Sequence, residues 1–319
     1  MAASGATATD TAALERAETL LRRVAGSRVR TGRPLAPLTT FRVGGPAALY
    51  MDAESDEDLS AAARAVRETG IHTAVLGKGS NVLVSDEGFP GLVIRLGKSY
   101  RWAERDGHRI RAGGAMPLPA LAGVALRNSL TGLEFGVAIP ATLGGAVRMN
   151  AGAHGHAMDE VVETVELFRL QTPGPQKVSA AEAGFTYRRS ALPPDGVVVA
   201  ATAALAPAST ADVRALMEEA REWRRATQPL AEPNCGSVFK NPPDGHAASL
   251  IESLGAKGVS VGGASVSTKH ANFIVTAPGT RSADVVKLIR RLQRMVADRH
   301  GIRLEPEVHL VGPFDVTPL

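Results

Sequence analysis

Apolar residues recur at helical spacing from Thr11 to Val24, at Leu14, Ala17, Leu20, Leu21 and Val24, and predict an amphipathic helix. A second helix is expected over Asp56 to Thr69, with Ser55 able to cap its start and Gly70 its end. The period then changes. Ile71 to Leu76, Val82 to Val84 and Leu92 to Ile94 are short apolar runs punctuated by glycine turns, the mark of strands. From Lys98 to Leu205 short β-like pieces alternate with glycine-rich turns, and only Leu118 to Ser129 asks for a helix. After Pro207 two strong helical patterns, Ala211 to Arg225 and Ala283 to Arg299, bracket a segment rich in glycine and serine. The final "RLEPEVHLVG" alternates like a strand and is expected to rejoin an earlier sheet. No internal repeat is evident. The expected units are 1–97, 98–205 and 206–302, with 303–319 crossing back, and the first ten residues are expected to be disordered.

The 319 residues suffice for two or three domains. At 44 % hydrophobic and 21 % charged, the composition is that of a globular protein. The opening "MAASGATATDTA" has neither a basic nor an apolar region of the kind a secretory leader needs, and no apolar run approaches the length of a membrane span, so a cytoplasmic location is expected. A single cysteine forms no internal disulfide, in keeping with a reducing compartment. The formal charge of +4 would attract phosphorylated small molecules. Aromatic residues are only 4 % of the chain, poor material for stacking bases, so nucleic acid is not an expected partner.

Several stretches bear on chemistry. Strand Ile71 to Leu76 followed by Gly77 and Gly79 resembles the start of a dinucleotide-binding unit, but strands rather than a helix follow, which excludes a Rossmann unit. "GKGSN" (77–81) and "IPATLGGAVRMNAGAHG" (139–155) remain either ligand-cradling loops, whose backbone N–H groups could face anionic oxygens, or tight turns of a β core. His154 and His156 lack further ligands at metal spacing, so no metal is expected; His72, His108 and His300 read as surface or loop histidines. Arg188 ends an apolar strand in "FTYRRSAL", as a solvated edge residue or as a fork for a carboxylate. Glu305 and Glu307 share a face only if Pro306 leaves the pleat intact, and either could be a buried acid. In "PNCGSVFKNP" the residues alone leave open whether Cys235 or Ser237 is reactive.

Read together and in order, "TTFRVGGPA", "GKGSNVLVSDEGFPGLVI", "GLEFGVAIPATLGGAVRMNAGAHG", "FTYRRSAL", "NCGSVFKNP", "LIESLGAKGVSVGGASVSTKHANFIV" and "LEPEV" resemble the UDP-N-acetylenolpyruvoylglucosamine reductases of bacterial cell-wall synthesis, over nearly all of residues 30–312. The resemblance implies an α+β fold: a two-part FAD-binding domain of the vanillyl-alcohol-oxidase type and a separate α+β substrate-binding lobe. It implies FAD held by Gly77, Lys78, Gly79, Ser80 and Asn81 at the pyrophosphate, and by Ile139, Pro140, Ala141, Thr142, Gly144, Gly145, Asn150 and Gly152 at the isoalloxazine. Ser80 stands where covalent relatives of that fold carry a histidine, so the flavin should be non-covalent.

NADPH is implied as hydride donor to the flavin, and UDP-N-acetylglucosamine enolpyruvate as acceptor, with hydride passing from flavin N5 to carbon 3 and a proton from Ser237 to carbon 2. Arg188 would bind the substrate carboxylate and Glu307 would assist the charge redistribution, leaving Cys235 a bystander. Tyr187, Lys240, Asn241 and His270 fall near the expected sugar nucleotide, with Arg224 or Arg225 offered to its diphosphate. The short connection from Arg189 to Val197 matches the subgroup that lacks a tyrosine-bearing loop. Ala141, where a glycine is common, and His309, where an arginine is frequent, depart from the pattern. The expected assembly is a monomer or weak homo-oligomer, with no membrane partner. An FAD-linked alcohol or sugar oxidase, and a non-catalytic flavin-binding protein, are the competing readings.

Overall fold

A computed structural model describes residues 11–315. The stretch expected to be disordered, residues 1–10, lies outside them. The first helix, Thr11–Ala25, and the second, Asp56–Thr69, bury alanine-rich faces against a four-stranded sheet. Ser55 accepts a hydrogen bond from the Asp58 N–H, and Gly70 closes the second helix at φ 69°, which a residue with a Cβ resists. In the sheet, Val29–Pro34 runs antiparallel to Pro46–Ala53, which pairs in parallel with Phe89–Leu96; Thr73–Val75 completes the parallel edge.

A second sheet of five antiparallel strands holds Arg109–Gly113, Val162–Arg169, Gly174–Ser179 and Gly196–Ala204, with Ala103–Asp106 at one edge. Its core packs under Leu118–Arg127 and Leu143–Met149. The latter helix corrects the expectation of turns alone between 139 and 155. Leu143, Ala146 and Val147 form a buried i, i+3, i+4 stripe that the neighbouring glycines obscured, Thr142 caps the start, and Asn150 ends it at φ 43°. A one-turn helix, Ala180–Ala183, was also unforeseen.

The remaining layer is a three-stranded antiparallel sheet, Ser260–Val261, Ala264–Val266 and Ile274–Thr276, covered by the long helix Ser282–His300. The segment expected to be merely compact also contains Ala247–Ser253 as a helix, because Ala247 and Ile251 bury one face. His300, expected in a loop or at the surface, is the last residue of its helix, with Nε2 3.0 Å from Ser253 Oγ. The strand His309–Val311 pairs in parallel with Val82–Val84, so the chain end returns to the first layer. Among the described residues no helix is long and apolar enough to cross a membrane.

Candidate active site

Three segments meet where the chain end returns. The first is Pro233–Lys240, which is threaded between the third sheet and residues 305–307. Val238 N–H donates to Asn272 O (2.9 Å), and Glu307 N–H donates to Val238 O (2.7 Å). Asn272, almost fully buried, clamps Phe239 from both sides through its carboxamide. Ser237 therefore sits on a fixed backbone, half-buried, just after Gly236, whose φ of 80° makes the bend.

The second segment is the Thr186–Arg189 turn. Arg188 is not at a strand end, as the apolar pattern suggested, but in a bridged turn at φ 55°, where the local apolar run gives way to a reversal. That conformation is uncommon for a residue with a Cβ and points to a position held by its surroundings. Arg188 Nη2 donates to Gly152 O at 2.7 Å, its guanidinium lies 5.1 Å from the centre of the Tyr187 ring, and its Nε is 3.2 Å from Glu307 Oε1.

The third segment is 305–309. Glu305 and Glu307 do not share an environment. Glu305 is 64 % exposed and pairs with Lys240 at 2.7 Å, whereas Glu307 keeps only 17 % of its side chain in contact with solvent. Burial raises the Glu307 carboxyl above the ordinary carboxylate value, with Arg188 and then Lys240 pulling it back. The same burial, helped by the Glu307 charge, pushes the Cys235 thiol far up, which leaves it an inert apolar filler beside the site. Half-buried His309 brings Nε2 within 3.0 Å of Met149 Sδ; burial and then Lys240 hold its pKa below the usual imidazole value. The sequence reading marked His309 only as a departure and missed this contact.

A cleft of about 290 Å³ lies between the first two sheets. Gly77, Thr142, Gly144 and Gly145 line it, as expected for cofactor residues, together with Gly114, Arg95, Arg101 and Arg148, which the sequence reading passed over. The glycine pair ending "HRIRAGG" was the available signal for Gly114. A Cβ on Gly145 would meet only Thr142 Oγ1, at 3.4 Å, so bare backbone faces open space there. No carboxylate is among the lining residues, while three guanidinium groups are, which suits an anionic dinucleotide such as FAD. Arg148 also donates to the carbonyls of Leu192, Pro193 and Gly196, closing one wall.

The other expected residues scatter in role. Gly79 abuts Leu38 O so closely that a Cβ would sit 2.2 Å from it, Lys78 is exposed, and Ser80 is half-buried. Ile139 and Ala141 pack against the second core, Pro140 is exposed, and Gly152 serves as the acceptor for Arg188. The carboxamides of Asn81 and Asn150 are engaged with protein: Asn81 Nδ2 donates to Glu307 O (3.1 Å), and Asn150 Nδ2 donates to Thr186 O (3.0 Å). Asn241 N–H donates to the Tyr187 hydroxyl at 3.4 Å, but its own Oδ1 caps Ala247 N–H. The His270 ring lies tilted against Phe273, 4.6 Å between centroids, and has Lys257 and Glu252 as its charged neighbours. Arg224 and Arg225 line a separate surface pocket with Arg221, Glu218, Val137 and Leu230. No cluster of three potential metal ligands occurs among the described residues.

Comparison with known proteins agrees with this layout. Residues 47–172 match the FAD binding domain model, and residues 228–311 match the C-terminal domain model of UDP-N-acetylenolpyruvoylglucosamine reductase. The reductase of Anaeromyxobacter dehalogenans (strain 2CP-C) is 44 % identical over 295 residues, 92 % of this chain and 89 % of its own length. That of Halalkalibacterium halodurans is 38 % identical over 92 % of this chain and 97 % of its own. The crystal structure of the Thermus caldophilus reductase superposes with a TM-score of 0.78 at 37 % identity, over 89 % of this chain and 99 % of that one. With its FAD-binding domain and α+β C-terminal domain, the chain is a flavoenzyme oxidoreductase and belongs to the UDP-N-acetylenolpyruvoylglucosamine reductase family.

Proposed function

We propose that the enzyme consumes NADPH to reduce UDP-N-acetylglucosamine enolpyruvate to UDP-N-acetylmuramate, a step in peptidoglycan precursor synthesis, in the cytoplasm. The observation that carries this reading is the Arg188–Glu307 pair, 3.2 Å apart and mostly out of water, joined by a backbone hydrogen bond to the segment bearing Ser237. An oxidase acting on a neutral alcohol has no use for such a carboxylate receptor. Held in the cleft lined by Gly77, Thr142, Gly144, Gly145 and three arginines, FAD would supply the hydride chemistry that links NADPH to the enol ether.

The chain's own residues handle charge and proton. The planar Arg188 fork is suited to two oxygens of the substrate carboxylate, and the pair geometry keeps it aimed. As carbon 2 gains carbanion character, negative charge flows toward that carboxylate, where a pre-aligned guanidinium stabilises it without reorganisation. Ser237 donates the proton to carbon 2. Glu307, largely dry and held against Arg188, assists the redistribution of charge. Lys240 is tied to exposed Glu305, a pairing weak enough in water to open for a sugar nucleotide. Half-buried Arg224, which donates to Gln228 Oε1 at 3.1 Å, and Arg225, paired with Glu218 at 2.6 Å, line the pocket offered to the diphosphate. Tyr187 and Asn241 are joined by the Asn241 N–H donating to the Tyr187 hydroxyl at 3.4 Å.

The test is Ser237→Ala in an anaerobic two-step experiment. Bleaching of the flavin by NADPH should stay within about threefold of wild type, and recovery on adding the enolpyruvyl sugar nucleotide should slow by about 10²-fold or more. Equal loss in both steps would overturn the proton-donor role, and fast recovery in air with none from the sugar nucleotide would favour the oxidase.

A further inference from the structure

Two asparagines in the expected cofactor-binding segments donate from their carboxamides to backbone carbonyls at or near the ion pair. Asn81, at the end of the Gly77–Asn81 turn, donates from Nδ2 to the carbonyl of Glu307 at 3.1 Å and accepts from His309 N–H on its backbone oxygen at 3.0 Å. It thus holds the backbone at Glu307 from a point 226 residues away in the chain. On the other side of the same short segment, Glu307 N–H is held by Val238 O. The acid therefore has one backbone bond to the Ser237 segment and one side-chain bond to the cofactor turn.

Asn150 does the corresponding work for the cation. It is 2 % exposed and sits in the left-handed conformation at the end of Leu143–Met149. Its Oδ1 accepts from Asp159 N–H at 2.9 Å, and its Nδ2 donates to Thr186 O at 3.0 Å, two residues before Arg188. Gly152, two residues further along the same segment, accepts from Arg188 Nη2. A buried, fully engaged carboxamide fixes the peptides it joins because breaking either bond would leave a polar group unpaired.

We propose that Asn81 and Asn150 are positioning residues: each carries the placement of its cofactor segment to one member of the Arg188–Glu307 pair. The inference rests on the proposed roles of Arg188 and Glu307. It has a direct corollary. A carboxamide that acts through Glu307 matters only while Glu307 has a carboxylate to place, so its loss should be masked once that carboxylate is gone.

The variants are Asn81→Ser and Asn150→Gly, the latter because glycine accepts the left-handed backbone without strain. Asn150→Asp is the companion, keeping shape and the acceptor for Asp159 N–H while removing the donor. Three readouts are taken: FAD affinity by recovery of flavin fluorescence on release, anaerobic bleaching by NADPH, and recovery with UDP-N-acetylglucosamine enolpyruvate. The expected result is about a tenfold slower recovery in each variant, with FAD affinity and bleaching within about threefold of wild type. In a Glu307→Gln background, adding Asn81→Ser should slow recovery by less than about twofold. A full tenfold additional loss in that background, a collapse of FAD affinity in folded Asn81→Ser or Asn150→Asp protein, or wild-type recovery in all variants would each overturn the proposal. If wild type itself bleaches but does not recover with the sugar nucleotide, the functional reading beneath it fails instead.

Discussion

Two acids two residues apart in "LEPEV" meet two different fates. Glu305 projects into water and pairs with Lys240; Glu307 turns inward and pairs with Arg188. Each is a glutamate Oε1 against a cationic nitrogen, Lys240 Nζ or Arg188 Nε, at similar separations of 2.7 and 3.2 Å. What differs is solvent. Water reaches the Glu305 end of the outer pair, although Lys240 is only 18 % exposed, whereas at the inner pair both Arg188 (21 %) and Glu307 (17 %) have exchanged most of their hydration for fixed partners, so removing one member strands the other. Charge placement in a dry site is what catalysis can use, and the contrast shows how one short segment presents both a surface acid and a buried one.

The comparison can be broken in graded ways. Arg188→Ala should do most damage, slowing flavin recovery by the sugar nucleotide about 10²- to 10³-fold in stopped-flow traces while bleaching by NADPH changes little. Glu307→Gln should lower the same step less, on the order of 10-fold to 10²-fold, because the isosteric amide still fills the site beside Arg188. It should also change how stability depends on pH. Burial raises the Glu307 pKa in the folded state, so the native form binds its proton more tightly than the unfolded chain does. The stability this contributes is complete below the ordinary carboxylate range and is lost as pH rises through the folded value. Melting temperatures of wild type should therefore fall relative to Glu307→Gln as pH rises from about 4 upward, and parallel curves would contradict the assignment of a raised pKa. Glu305→Gln, the outer counterpart, should leave both half-reactions within about twofold of wild type. Smallest of all, Cys235→Ala should leave turnover nearly unchanged, and the native thiol should resist a thiol reagent until the protein unfolds.

Much of this contrast was legible in the sequence, but not all for the same reason. The helix Asp56–Thr69 could be read to the residue because capping serine, periodic alanines and closing glycine all agree locally. The helix Leu143–Met149 could not, since its glycines lie in the first turn, where they read as turn residues, and its buried stripe is only three residues long. Arg188, Glu307 and Ser237 were identified by resemblance, while their residues alone left Cys235 against Ser237 and Glu305 against Glu307 open. The decision between the two glutamates depends on which side of Pro306 faces residues 238 and 188, a long-range fact that no local pattern encodes. For the same reason no local pattern shows that the carboxamides of Asn81 and Asn150, placed at the cofactor by resemblance, donate to carbonyls 226 and 36 residues away. His270, expected near the substrate, belongs to a region where the motif is strong but the nearest charges are Lys257 and Glu252.

The central claim is that the Arg188, Glu307 and Ser237 constellation serves an enolpyruvyl sugar nucleotide. One anaerobic absorbance trace near the flavin band tests it most directly: NADPH is added first, then UDP-N-acetylglucosamine enolpyruvate. The expected result is bleaching followed by full recovery of the oxidised spectrum. Bleaching that no enolpyruvyl compound reverses, while air does, would contradict it.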